Sequence, residues 1–509
     1  MSVRVLSTPI TGSSLARITI EGGNSSWYVR RPSSAAEWTE RANLVRQSLI
    51  SPDWLTALAP AFDASGLAAE KLESAAKSGF AVTTGQQPGL FGGPLYTWWK
   101  ALSVRSLAAR LEKLTGAPVV PIFWAATDDS DFAEASYTVV ATGTGAERIE
   151  MMTSAPTGTP VAEIPLGDLR DQIARLEDAA GSAANVAALD AVRAAYIARR
   201  TVGSAYVAML RTILEPLGVA VLDASDAAVR HAAFPLLRSA LENAGQIEGA
   251  LNLRSRELKS AGHSAQVKLV KGRTLVFSGA HGVRDRVRAR DVDDVLENAE
   301  PGSFGPNVLL RPIVERSIIP TVAYLGGGAE IAYFAQTTAV ADALEVPAPL
   351  VLPRWSGFVI EPKIERILER YSLTVEDFRD PHAVESRLAR ASLPEGVREG
   401  IKTVQDSVTS SAAQLARAEG ADLVPPSVID GLRRTIDRRV DRLERRFAAS
   451  VKQKGNDALR DAAVARGALF PLGVAQERAL NVVPLLARHG DDLVRAVSVE
   501  TDKHAERFT

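Results

Sequence analysis

Apolar residues along the chain change period several times, and each change marks an element. Positions three and four residues apart carry the apolar side chains through Trp54 to Phe62 and Leu67 to Ala76, the spacing of helices. Short unbroken runs follow. Phe80 to Thr84 predicts a buried strand that enters the Gly/Pro-rich turn TGQQPGLFGGPLY, and Thr97 to Leu114 predicts a helix stopped by Gly116 and Pro118. Val119 to Ala126 is apolar enough for a second fully buried strand. Strand, helix and strand in this order make a βαβ unit with a right-handed crossover. Ile173 to Arg200 is alanine-rich and helical, within an insertion over about 165–201. Gly218 to Asp223 predicts a third strand and Ile318 to Leu325 a fourth. Between them, Gln266 to Phe277 alternates around Lys271–Gly272, which predicts an antiparallel hairpin over about 266–278. The expected fold class is α/β.

A longer rhythm takes over after Pro362. Val397, Ile401, Val404, Val408, Ala412 and Leu415 form one apolar stripe. Ile429, Leu432, Ile436, Val440, Leu443, Phe447 and Val451 form another, in steps of three, four and four that repeat every eleven residues. That period suits a nearly straight coil. Gly420 to Pro426 breaks the two stripes apart, so the pair predicts an antiparallel helical hairpin. The expected organisation is a core over 1–375, a coiled-coil arm over 376–468 and a segment over 469–509 that returns to the core. One stripe per helix zips such a pair, and a dimer contact is the expected task of the arm.

Composition narrows the function. A chain of 509 residues, 46% hydrophobic and 23% charged with net charge −1, is an ordinary globular protein with no field to attract nucleic acid or anionic lipid. The Arg-rich run from Arg433 to Arg446 is interleaved with acids and reads as a solvated helix face. The absence of cysteine excludes disulfides, thiolate metal sites and a cysteine nucleophile, and the six histidines form no pair at metal-ligand spacing. Met1 to Ser14 lacks the apolar block of a secretory leader, and no run reaches the roughly 18 apolar residues of a membrane span. A soluble, cytoplasmic protein without a membrane partner is expected.

In an open parallel sheet, ligands bind beyond the carboxyl ends of the strands. The residues that follow the four strands are Gly85, Gln86 and Gln87; then Asp128, Asp129 and Asp131; then Asp223, Ser225 and Asp226; and last Gly326, Gly327 and Gly328 with Glu330. The first loop is either a phosphate cradle, with backbone amides at a helix start, or a tight turn with no ligand. It is neither a Walker loop nor a GxGxxG fingerprint, and Lys100 lies a turn inside the helix. The aspartate trio either holds Mg²⁺ together with phosphate oxygens or caps a helix. Trp98 and Trp99 beside Tyr96 are core aromatics or a stacking surface. Asn307 and Arg311 precede the fourth strand. Arg311 either clamps a carboxylate or phosphate or pairs with a structural acid.

TTGQQPGLFGGPLYTWWKALS (83–103), PVVPIFWAATDDSDFAEA (118–135), PNVLLRPIVERSIIPTVAYLGGGAEIAYFAQ (306–336), LPRWS (352–356) and LFPLGVAQERALN (469–481) resemble, in order, signature stretches of the bacillithiol synthase family. The resemblance implies a Rossmann-like core of the nucleotidylyltransferase type, a long coiled coil and a homodimer. It also implies ligation of cysteine to the amine of glucosamine-malate; a free carboxylate is a poor electrophile, so ATP is the expected activator. Gly93, Pro94 and Tyr96 stand where the wider superfamily carries its nucleotide-binding signature. The chain departs from the family at two places: Ser130 and Tyr137 stand where relatives carry histidines. The loss of two imidazoles, the usual proton shuttles near neutral pH, keeps open a related ligase or nucleotidyl transferase for another amine and acid pair. A non-catalytic dimeric scaffold is the reading from another class.

Overall fold

A strand that is apolar on both faces needs cover on both faces. The computed structural model describes residues 3–23, 25–279, 284–380, 382–454 and 457–509, with the side chains of 451–454, Val451 among them, outside the described residues. Its central sheet has five strands: β1 (Phe80–Gln86), β2 (Val119–Ala125), β3 (Ala220–Asp223), β4 (Thr321–Gly326) and β5 (Val351–Pro353). They lie in the order β5-β4-β1-β2-β3, all parallel. Every residue of β2 is buried, as a doubly covered parallel sheet requires. Trp54, Leu58, Phe62 and Leu72 pack with Val120, Ile122, Trp124 and Leu222 in one apolar layer. This is the expected Rossmann-like α/β architecture. The chain steps outward from β1 through β3, then returns to place β4 on the other side of β1. Strand order therefore reverses between β1 and β4, and the crevice at their carboxyl ends is the topological switch point.

Helix α1 (Leu95–Thr115) follows β1 and ends at Gly116, whose φ of +72° closes it in the left-handed region. α2 (Ala227–Glu242) follows β3, α3 (Arg311–Ile318) precedes β4, and α4 (Gly328–Ala343) follows it. Three expectations change. The fourth strand starts at Thr321, because Ile318 still belongs to α3, and Arg311 opens that helix. The run from Ile173 to Arg200 is two helices, Arg170–Ala180 and Ala187–Ala195, separated at Gly181. No hairpin turns at Lys271–Gly272. The backbone of Val267 is instead satisfied on both sides by the Gln336 side-chain amide, at 2.8 and 2.9 Å. The antiparallel strand begins at Arg273 and pairs with Asp285–Arg288 and Phe304–Pro306.

The chain divides into two compact units, one of 1–140, 148–361 and 476–509, the other of 141–147 and 362–475. In the second, α5 (Glu395–Leu415) and α6 (Pro426–Lys454) pack as consecutive neighbours, the coiled-coil hairpin. Among the described residues no helix is long and apolar enough to cross a membrane.

Candidate active site

The switch point is built around a buried cation. Lys100 sits one turn inside α1, 2% exposed. Its ammonium donates to the Gly85 carbonyl at 2.7 Å and to Gln86 Oε1 at 2.9 Å, and it pairs with Glu330 Oε2 at 2.6 Å. An ammonium has three protons, so Lys100 is fully engaged. Glu330, in the first turn of α4, also accepts from the Gly327 amide at 2.7 Å and the Tyr324 hydroxyl at 2.5 Å. Burial pushes the Lys100 ammonium down, opposed by Glu330. Burial alone would raise Glu330, but the Lys100 charge and these hydrogen bonds hold it below the usual carboxylate range. The result is a clamp joining β1, α1, β4 and α4.

Around the clamp, several expected ligand groups serve the protein itself. Arg311 pairs with Glu315 at 2.7 Å and lies over the Tyr324 ring at 5.0 Å, so the structural-acid alternative holds for its Nη1. Asn307 Oδ1 accepts from the Leu309 and Leu310 amides ahead of α3. The glycine loop is a tight turn. Gly92 and Gly93 have φ of +86° and +73°, and a Cβ on Gly89 would stand 2.6 Å from Gly93 Cα. The amides of Gly92, Gly93 and Leu95 bond to Gly89, Leu90 and Leu480, and Asn481 Nδ2 donates to the carbonyls of Leu90, Phe91 and Gly93. These amides are therefore unavailable to a phosphate. Gly328 lets the backbone of Thr11 and Gly12 close in, with Gly12 Cα 2.8 Å from a would-be Cβ, so this glycine serves chain packing. Gly326 packs against Glu330 and Tyr324, and Gly327 alone of the three has room beside it.

The aspartates separate by role. Asp131 caps the short helix Phe132–Ala135 at the Glu134 amide, and Asp129 accepts from the Asp131 amide. Asp128 is raised by burial and held by Arg284 at 3.3 Å. Asp226 caps α2, and Asp223 accepts from Ser225 and Thr127. No group of three metal-ligating side chains occurs among the described residues, and the trio does not form a cation cage. Trp98 and Trp99 are core, Trp99 edge-on to Trp355 at 5.3 Å.

What stays open is a narrow cleft of about 50 Å³ beside the clamp, lined by Gln86, Gln87, Pro94, Tyr96, Glu134 and Arg478 among others. The Tyr96 hydroxyl accepts from Gln86 Nε2 at 3.1 Å and donates to Glu134 Oε1 at 3.2 Å. Burial raises Glu134 above the usual carboxylate range. Tyr137, where the family resemblance leads one to expect a histidine, lines the same cleft, whereas Ser130 does not. Arg354 grips Glu477 through two nitrogens, at 3.0 and 2.8 Å, and lies 5.6 Å over the Tyr96 ring. Sequence reasoning missed Glu315, Tyr324, Arg354, Glu477, Arg478 and Asn481. A usable signal existed for Arg354 alone: a charge set inside the apolar run VLPRW must find a buried partner.

Comparison with known proteins agrees with this architecture. Residues 24–355 match the N-terminal Rossmann-like domain of bacillithiol biosynthesis BshC, and 357–509 match its C-terminal coiled-coil domain. The chain is 32% identical over 454 residues to a Koribacter versatilis protein named "Putative cysteine ligase BshC", covering 85% of this chain and 84% of that one. A Solibacter usitatus protein of the same name is 34% identical over 431 residues, covering 81% and 80%. One from Staphylococcus carnosus is 26% identical over 451 residues, covering 83% and 82%. Two family domains that together span almost the whole chain, and relatives above 30% identity over most of their length, place this chain in the BshC family of bacillithiol biosynthesis.

Proposed function

We propose that the chain is an ATP-dependent ligase joining the carboxyl group of cysteine to the amine of glucosamine-malate. The supporting observation is the cleft beside the switch point, where Gln87, Tyr96, Glu134 and Arg478 share one space. A free carboxylate is a poor electrophile, so the cysteine carboxyl needs activation by ATP before the amine nitrogen attacks its carbonyl carbon and the activating group leaves. The amine must be neutral to attack. Glu134, raised by burial, is the group we assign to take its proton. Arg478 and Gln87, which make no hydrogen bond or ion pair among the described residues, bind phosphate or carboxylate oxygens. Lys100 and Glu330 are positioning residues. The aspartate trio is engaged locally, so no step is routed through Mg²⁺. The protein acts as a cytoplasmic homodimer paired through α5 and α6.

The test is incubation of the folded protein with ATP, cysteine and glucosamine-malate, with bacillithiol detected by mass. Product formed by the native protein, and reduced at least a hundredfold in Glu134→Gln, is the expected result. No product with each substrate saturating counts against the reading. Ser130 and Tyr137 at the histidine positions favour a second reading, a related ligase for another amine and acid pair. Nucleotide consumption across a panel of amino acids separates the two.

A further inference from the structure

We propose that Gln86 and Tyr96 are positioning residues that hold Glu134 as a proton acceptor, fixing its Oε1 from within the protein and leaving its Oε2 to receive the substrate's proton. The source of that proton rests on the ligase reading. The direction of the hydrogen bonds rests on the donors and acceptors alone, and they admit one solution.

An ammonium only donates, so the Gln86 atom that meets Lys100 at 2.9 Å must be the amide oxygen, Oε1. That choice turns the other end of the amide, Nε2, to the Tyr96 hydroxyl at 3.1 Å. An amide nitrogen also only donates. The Tyr96 oxygen therefore accepts from it and sends its own proton onward, to Glu134 Oε1 at 3.2 Å. Each bond fixes the sense of the next, and the series ends on a carboxylate. Tyr96 and Lys100 lie four residues apart on one face of α1, and Gln86, the last residue of β1, bridges them. The ammonium cannot turn away, because its remaining protons are held by the Gly85 carbonyl and Glu330. Glu134 lines the cleft of about 50 Å³, which admits a small terminal group such as an amine. When that amine loses its proton, the N–H bond breaks with its electron pair left on nitrogen, and the new O–H bond forms at Oε2, since Oε1 already meets the tyrosine proton. Other groups act on the same carboxyl. Burial raises it most, the Tyr96 hydrogen bond lowers it, Asp131 and Asp129 raise it, and Lys100 lowers it. Arg478 shares the cleft, and Tyr206, on the helix Val202–Leu214, is kept neutral nearby by its own burial. Among the described residues, Tyr96 is the donor that bonds the Glu134 side chain.

The test reads Glu134 directly. Full-length protein with isotope-labelled glutamate carboxyls is titrated by NMR without substrate, the Glu134 signal being the one lost in Glu134→Gln. In Tyr96→Phe the carboxylate loses its donor, so Glu134 should titrate at higher pH than in the native protein. In Gln86→Glu the new carboxylate accepts from both Lys100 and Tyr96, draws the tyrosine proton away from Glu134, and should also move the titration up. That second shift should shrink once Tyr96→Phe is added, because part of it passes through the hydroxyl. A charge acting through space alone would shift Glu134 equally in both backgrounds. If Tyr96→Phe does not fold, Gln86→Leu decides: it removes the amide without adding charge, weakens the tyrosine as a donor, and should move Glu134 up. The proposal is overturned if Tyr96→Phe, or Gln86→Leu in its place, leaves the titration where it was or lowers it. It is equally overturned if Gln86→Glu acts alike with and without the hydroxyl. In the ligation assay the acid-side fall of kcat/KM should begin at higher pH in Tyr96→Phe than in the native protein. Titrations that behave as stated in a protein that makes no bacillithiol would sink the ligase reading and leave the hydrogen-bond series standing. Bacillithiol made by a protein whose Glu134 ignores Tyr96→Phe would do the reverse.

Discussion

A lysine buried beneath a strand end must find three acceptors or lose its charge, and Lys100 finds all three within the protein: a strand carbonyl, a side-chain amide and the Glu330 carboxylate. Neither partner of this pair gains from burial on its own, since each charge has left water. Removing one should therefore cost more than removing both. Lys100→Met leaves Glu330 uncompensated, with an expected loss of about 3–5 kcal/mol. Lys100→Met/Glu330→Leu should melt above the single variant, and thermal denaturation of the three proteins reads the order directly. A single variant that melts with the native protein would show that this pair does not hold the switch point. The same residue shows what a linear reading cannot supply. Lys100 invites a phosphate-binding role because its acceptors, fifteen residues back and 230 residues ahead, are invisible until the strands assemble.

At the scale of elements, legibility follows locality. β1, β2 and α1 are readable because their apolar pattern is continuous and their stops, Gly116 and Pro118, are adjacent. The parallel sheet follows from the βαβ order. β5 escapes notice because three residues, Val351 to Pro353, are too few for a pattern. The Lys271–Gly272 turn misleads because the Gln336 amide, contributed by α4, takes the backbone bonds of Val267 that a partner strand would have taken. The glycine loop shows the same dependence, since Asn481 fixes it from the far end of the chain. A further long-range tie joins the strand Gly357–Ile360 to the helix Val483–His489. Glu361, just past the strand, accepts from Arg488 at 2.6 and 2.9 Å and meets His489 Nε2 at 2.8 Å. Burial would raise Glu361, but its partners on that helix hold it below the ordinary carboxylate range. A depressed folded-state value means that the stabilisation is complete above the unfolded carboxylate range, near pH 4.5, and fades as pH falls through the folded value. Glu361→Gln should accordingly lower the melting temperature at pH 7 and narrow its gap from the native protein towards pH 3. A gap that stays constant across that range would remove Glu361 from the acid response.

At the scale of the whole molecule, the hairpin has more apolar surface than its own two helices cover. α5 contains no buried residue, and on α6 Leu432, Leu443 and Phe447 remain 54%, 49% and 39% exposed. Val404 on α5 is 47% exposed. These residues belong to the two stripes whose spacing predicts the hairpin, so the stripe that zips the helices also faces outward. Acids interleave with the arginines of α6, from Asp430–Arg433 to Arg433–Asp437, which keeps the flanks soluble without repelling a like surface. A second copy brings an identical apolar stripe, and a two-fold arrangement lets each cover the other. The proposal that this stripe is a dimer contact is tested by mass. Light scattering at micromolar concentration should therefore give the native protein twice the chain mass of 54.3 kDa. Leu432→Lys/Leu443→Lys should give the single-chain mass with unchanged helical circular dichroism, because both positions are already solvent-accessible within one chain and tolerate charge there. A native protein that scatters as a single chain would end the dimer proposal. A double variant that stays dimeric would move the contact off the hairpin while leaving the cleft and its chemistry untouched.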